Sequence, residues 1–143
     1  MTAGTWTLTN SSRTKILDGT LSTSATYKVA LFTTAAASAT STVYSGLSNE
    51  VGTTNTGYTT TGASVTPSLS GTTSVTWSFA SDPTWTAGSA GLAAIQAVLY
   101  DTVSGYILAY CLLDSGGATV TTTSGQTLTI DSDGSPGPVL TFS

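Results

Sequence analysis

Histidine is absent from this 143-residue sequence, and cysteine, glutamate and basic residues are scarce. Without histidine the chain cannot build a Ser-His-Asp or Cys-His nucleophile, or a histidine-ligated metal site. The single glutamate, Glu50, leaves any glycosidase-type carboxylate pair to aspartates, which all fall in predicted turns or loops. No glycine-rich phosphate-binding motif is present. These absences predict a protein that is not an enzyme and that uses no metal, cofactor or catalytic residue.

Charge is also sparse, because charged residues make up 7% of the chain, against about 25% in an average globular protein. The net charge is −4, and the three basic residues are Arg13, Lys15 and Lys28. Nucleic-acid binding needs clustered Lys or Arg, and Arg13 and Lys15 form only a pair. The same shortage argues against an anionic membrane surface. We therefore expect neither nucleic acid nor membrane as a partner.

The single cysteine, Cys111, has no partner for an internal disulfide and lies in an apolar run, so we interpret it as a small buried hydrophobe. Met1–Leu8 lacks the basic start and apolar core of a signal peptide. The longest apolar runs are far shorter than the ~20 residues of a membrane-spanning helix. These features predict synthesis and folding in a cytoplasm.

What the chain has in abundance is threonine, valine and short alternating runs, which favour strands. Val75, Trp77 and Phe79 alternate with small or polar residues. In Tyr27–Phe32, alternation places Phe32 on the opposite face from Tyr27. Two apolar runs, Leu92–Tyr100 and Tyr106–Leu113, flank the turn signal 101–105. They predict a β-hairpin that is buried on both faces at the centre of the fold.

About eight or nine short strands separated by turn signals predict one all-β domain over residues 1–143, an antiparallel β-sandwich. Residues 1–14 are predicted to form an extended N-terminal arm or a first strand. Asp131–Pro138 is predicted to be a loop.

Two motifs match catalytic or metal-binding patterns weakly. Ser12–Lys15 has the S-x-x-K spacing of a serine acyl-enzyme, but the stretch is predicted to be non-helical and the accompanying motifs are absent, so we interpret it as a chance match. Asp131–Gly134 resembles a fragment of a calcium loop without its closing glutamate, and we interpret it as a solvated turn.

Four apolar or aromatic residues are candidates for an interface. Trp6 and Leu8 lie on the predicted arm, and Tyr58 lies in the Gly/Thr/Asn-rich loop Gly52–Gly62. Trp85 follows Asp82 and Pro83 in a predicted loop, where it could be a carbohydrate platform, an interface anchor or a cap on the sandwich. Because apolar runs flank it on both sides, we favour the cap.

Three groups of segments between Thr26 and Leu113 carry a family resemblance. They are Tyr27–Phe32; Val43–Tyr44 with Asn49–Val51 and Gly57–Gly62; and Trp77–Phe79 with Trp85–Ala87 and Ala97–Asp101. Together they resemble small structural proteins of tailed bacteriophages, of the capsid decoration (cement) type or closely related minor virion proteins. The resemblance implies a β-sandwich or jelly-roll-like fold, no catalysis, and attachment to a capsid shell.

This family would place the protein on the capsid exterior of the virion, bound to the major capsid protein. We expect a homo-oligomer, and the sequence does not rank a dimer above a trimer. The first alternative is a receptor- or carbohydrate-binding module of a tail or fibre, with Tyr58 and Trp85 exposed around a groove. The second is a neck or tail-associated structural protein, present in few copies.

Overall fold

The computed structural model describes residues 2–134 and 137–143. Met1 of the predicted arm, and Ser135 and Pro136 of the predicted Asp131–Pro138 loop, lie outside this range. The described residues contain one α-helix, one 3₁₀ turn at Tyr44–Gly46 and twelve short strands. The elements are, in chain order, β1 (Thr7–Leu8), α1 (Asn10–Leu17), β2 (Tyr27–Phe32), β3 (Ala63–Val65), β4 (Pro67–Ser70), β5 (Val75–Phe79), β6 (Thr84–Thr86), β7 (Leu92–Ala94), β8 (Gln96–Asp101), β9 (Ile107–Leu112), β10 (Val120–Thr122), β11 (Thr127–Thr129) and β12 (Leu140–Phe142).

The largest sheet is antiparallel and has the strand order β1-β9-β8-β2-β3. At its centre β8 and β9 form the predicted hairpin, and every residue of β8 is buried. The turn between them is closed by Asp101, whose carboxylate accepts hydrogen bonds from the backbone N–H groups of Val103 and Ser104. The prediction of a doubly buried central hairpin is confirmed.

The two faces of this sheet pack against different parts of the chain. Tyr27, Val29 and Leu31 of β2 belong to the main core, whereas Ala30 and Phe32 belong to a second, smaller core. The second core is covered by the crossing segment 33–47, which is held where the Gln96 side-chain amide exchanges two hydrogen bonds with the backbone of Ala37, at 2.6 and 2.9 Å. The predicted opposition of Tyr27 and Phe32 is therefore confirmed.

Three small antiparallel sheets contribute the remaining strands: β12-β5-β4, β11-β6 and β10-β7. Their buried residues, including Trp77, Phe79 and Leu92, join the main core with the inner face of the large sheet. The all-β prediction is confirmed. The jelly-roll-like arrangement stays a prediction.

More strands are present than the eight or nine predicted, partly because single apolar runs divide between sheets. The run Leu92–Tyr100 is one continuous apolar segment in the sequence, but the chain changes partners at Ile95. Before Ile95, β7 pairs with β10, and after it β8 pairs with β2 and β9. Hydropathy does not mark such a change, because both halves are apolar in sequence.

Of the two predicted forms of residues 1–14, the structure shows a first strand, which is followed by a helix. This strand, β1, pairs with β9, and the chain then forms α1, so the prediction that Ser12–Lys15 is non-helical is wrong. Thr9 caps the helix by accepting a hydrogen bond from the Ser12 backbone N–H at 3.2 Å. An isolated eight-residue helix is unstable in water, so tertiary contacts and this cap maintain it.

Candidate docking surface

The structure buries three of the four predicted interface residues. Trp6, Tyr58 and Trp85 are each less than 9% exposed and belong to the main core, and Leu8 is partly buried against it. In the isolated chain they therefore offer little surface to a partner. This overturns the picture of Tyr58 and Trp85 as exposed aromatics around a groove.

Trp6 and Trp85 are both buried in the main core. The Trp6 ring meets Phe79 edge-on at 6.0 Å, and its indole Nε1–H has no hydrogen-bond partner within the described part of the chain. Trp85 lies on β6, which pairs with β11, and not in a loop as predicted. Its ring packs beside Tyr58 at 6.3 Å between centroids. The expected burial of Trp85 is confirmed, and its position as a cap at the end of a sandwich stays a prediction.

Tyr58 belongs to a polar network centred on Glu50. The Tyr58 hydroxyl donates to Glu50 Oε1 at 2.6 Å and accepts from the Leu31 backbone N–H at 3.1 Å. Tyr44 donates to Glu50 Oε2, and the Thr61 backbone N–H donates to Oε1 at 2.7 Å. Burial, followed by the hydrogen bond to Glu50, raises the pKa of both tyrosines above the usual range. This network fixes the loop 52–62 to β2 and gives the single glutamate a structural role.

The two weak motifs, Ser12–Lys15 and Asp131–Gly134, use their polar side chains in local structural contacts. Ser12 is fully buried and its hydroxyl donates to the Thr9 carbonyl, while Lys15 pairs with Asp18 at 3.1 Å. The Asp131 carboxylate accepts the backbone N–H groups of Asp133 and Gly134, both at 2.8 Å, which is a turn geometry. In residues 2–134 and 137–143, no three His, Cys, Asp or Glu side chains cluster as metal ligands.

Cys111 is buried, as expected, on the central strand β9. Burial raises the pKa of its thiol to about 12, so the thiolate needed for nucleophilic chemistry is suppressed. The interpretation of Cys111 as a small buried hydrophobe is confirmed.

An apolar concave surface lies between α1 and the sheet β12-β5-β4, and we call it the apolar groove. One part, of about 220 Å³, has Tyr27 and Trp77 in its lining with Leu69 and Phe142. A second part, of about 270 Å³, shares Ile16 and Phe142 with the first and adds Leu8, Arg13 and Leu17. The two parts thus form one continuous surface.

Three large apolar side chains of the groove are exposed to solvent: Leu17 at 88%, Phe142 at 56% and Leu69 at 55%. Arg13 lines the second part and is the charged residue of the groove. A contiguous, mostly uncharged apolar surface of this kind is typical of a protein–protein contact. Of the four predicted interface residues, only Leu8 contributes to it.

Sequence reasoning missed Leu17, Leu69 and Phe142. Each ends or interrupts a short polar stretch, and apolar residues in short strands are usually buried. Their exposure follows from the absence of a covering element among the described residues, which the sequence does not reveal.

Comparison of the sequence with protein-family models and curated proteins, and of the fold with solved structures, gives no match. Within the described ranges, no helix combines the length and the apolar character required to cross a membrane.

Proposed function

We propose that this protein is a non-enzymatic capsid decoration protein of a bacteriophage, which binds the outer surface of the capsid shell and stabilises it. The resemblance of Thr26–Leu113 to structural proteins of tailed bacteriophages supports the proposal that the protein binds a phage capsid. The main support for a contact with the capsid is the apolar groove, where Leu17, Leu69 and Phe142 are exposed. The major capsid protein is the proposed occupant.

The energetics of the groove suit attachment in many copies. Burying one exposed Leu or Phe side chain contributes about 1.5–3 kcal/mol, before the cost of association is subtracted. Three such side chains therefore support a weak contact for each copy. Many copies on one shell, assembled as a dimer or trimer, would raise the overall affinity without new contacts.

The network around Glu50 and the turn geometry at Asp101 and Asp131 also favour a structural role. In these places the carboxylates accept hydrogen bonds from neighbouring backbone and side-chain groups. A neck or tail-associated protein would share this property, so the copy number distinguishes the two functions.

The first experiment is to measure copy number in purified particles by mass spectrometry or quantitative gel electrophoresis. A ratio to the major capsid protein of about one, or a simple fraction of it, supports decoration. A few copies per particle would favour a neck or tail-associated protein. Absence from particles would refute the proposal that this is a virion protein.

The second experiment tests the groove with a matched pair of variants. Leu17 and Val103 are both almost fully exposed, at 88% and 86%, but only Leu17 lines the groove. We expect Leu17→Lys to weaken binding to undecorated capsids at least about tenfold, because a buried leucine contact worth about 1.5 kcal/mol is lost. Val103→Lys should bind like the wild type. Equal binding by both variants would exclude this part of the groove as the contact.

A further inference from the structure

A second concave surface lies on the other face of the large sheet, and we call it the Lys28 pocket. Tyr27 lines the apolar groove, whereas its neighbour Lys28 points to the opposite face of β2. The pocket has a volume of about 550 Å³, within the range of small-molecule sites. Its lining combines one cation, two tyrosine rings and several hydroxyl groups: Lys28; Tyr44 and Tyr100; and Thr26, Ser45, Thr61, Thr102 and Ser104.

Lys28 supplies positive charge without an acidic partner. Its ammonium donates to Thr61 Oγ1 at 2.7 Å, and no carboxylate of residues 2–134 or 137–143 lies within ion-pair distance of it. An ammonium carries three donors, so two remain for a ligand. In a chain with seven acidic residues and three basic ones, a half-buried unpaired lysine on a pocket wall favours an anion.

The tyrosine wall is held rigid from behind. Tyr44 and Tyr100 stack with their centroids 4.0 Å apart and their planes 8° from parallel. The Tyr100 hydroxyl donates to the Thr61 carbonyl at 2.9 Å, and the Tyr44 hydroxyl donates to Glu50. Both hydroxyl protons are engaged within the protein, and Tyr100 is only 4% exposed. The half-buried Tyr44 ring, supported by Tyr100, therefore provides most of a preorganised apolar wall.

The nearby carboxylates lie outside the lining of the pocket. Glu50 is outside the pocket lining, and its oxygens are covered by two tyrosine hydroxyls and the Thr61 N–H. Asp101 is buried, and Ser104 donates to it through both its backbone N–H and its hydroxyl. Both carboxylates keep their charge but direct their oxygens at donors of the protein, so Lys28 is the charged side chain in the lining of the pocket.

We propose that the Lys28 pocket binds a sugar that bears a single carboxylate, such as a uronic or sialic acid. One lysine matches the single charge of a carboxylate, whereas a phosphate group carries a charge of about −1.5 to −2 at pH 7. The tyrosine wall suits the apolar face of a sugar ring, and the threonine and serine hydroxyls suit its hydroxyl groups. This inference is independent of the proposed capsid attachment, since it uses the opposite face of the sheet.

The test is a titration of the isotope-labelled full chain, followed by NMR. The probes are galacturonic acid and N-acetylneuraminic acid, with galactose as the neutral match and inorganic phosphate as the simple anion. We expect saturable shifts for the acidic sugars at the backbone amides of residues 26–28, 43–45 and 100–105, and none for galactose. An equal response to phosphate or galactose, or no saturable shift with either acid, would overturn the proposal.

Variants then connect binding to the cation. Lys28→Met should weaken acidic-sugar binding at least about tenfold, while Lys15→Met, at the Asp18 ion pair outside the pocket, should leave it within about twofold. Unchanged binding by Lys28→Met would refute the role of the lysine. If Lys28→Met does not fold, Ser45→Trp at the exposed rim gives the same test by filling the pocket: loss of binding supports the site, and retention refutes it.

Discussion

Removing one hydroxyl group tests whether the Glu50 network holds the loop 52–62 on the large sheet. Tyr58→Phe keeps the ring that packs beside Trp85 and deletes only the oxygen. That oxygen donates to Glu50 Oε1 at 2.6 Å and accepts from the Leu31 N–H at 3.1 Å. The substitution therefore breaks two hydrogen bonds without creating a large cavity.

The two losses have different magnitudes. A hydrogen bond to a charged acceptor contributes about 1.5–3 kcal/mol, and a buried donor left without a partner costs about 1–3 kcal/mol. Leu31 is fully buried on β2, so its N–H gains no direct access to solvent. We expect Tyr58→Phe to lower the free energy of unfolding by about 3–5 kcal/mol, a large share of the ~5–15 kcal/mol typical of a domain.

The measurement is urea unfolding at neutral pH, followed by tryptophan fluorescence and far-UV circular dichroism. The control is Tyr110→Phe, because Tyr110 is a half-buried residue whose hydroxyl makes no hydrogen bond to any described residue. It should change the free energy of unfolding by less than about 0.5 kcal/mol. In thermal unfolding, Tyr58→Phe should lower Tm by about 10 °C or more.

A loss below about 1 kcal/mol for Tyr58→Phe would refute the reasoning, because the Leu31 N–H would then have found another partner at little cost. The double-mutant cycle with Glu50→Gln adds a second criterion. We expect a coupling free energy above about 1 kcal/mol between positions 50 and 58, as is usual for residues of one hydrogen-bond network.

Two further predictions concern the backbone and the tyrosines. Gly62 has φ +84°, and an added Cβ would overlap the Val29 carbonyl oxygen, whereas Gly105 has φ +75° and open space around it. In urea unfolding, Gly62→Ala should therefore lower the free energy of unfolding by more than about 2 kcal/mol, and Gly105→Ala by about 1 kcal/mol. The second prediction concerns the tyrosines. Burial, with a smaller contribution from the Asp101 charge, raises the pKa of Tyr27 to about 12. Burial also raises the pKa of Tyr58. A phenol that holds its proton more tightly in the folded chain stabilises the fold fully below pH ~10, and this stabilisation is lost as the pH rises to about 12 and above. Absorbance at 295 nm should show these tyrosines ionising only together with unfolding, and titration of all six near pH 10 in the folded protein would contradict the prediction.

The amino-acid sequence determined the all-β class and the centre of the fold. The alternation in Tyr27–Phe32 and the paired apolar runs on either side of Asp101–Gly105 predict which side chains face which core, because the period of a strand is fixed at two residues. Burial of Cys111 follows from the same runs.

The candidate surfaces depend on contacts between distant segments. Whether Trp85 and Tyr58 are buried, and Leu17 and Phe142 exposed, is decided by which elements lie next to them, and local composition does not contain that information. The helix α1 likewise depends on its Thr9 cap and its packing against β9.

Local periodicity and tertiary structure both determine the surroundings of Lys28. Alternation along β2 predicts that it faces away from Tyr27, but only the fold brings residues 44, 61 and 100–105 around it. Local periodicity thus determined the strands and their faces. The tertiary structure decided the surfaces and pockets, because these form where residues far apart in the chain meet.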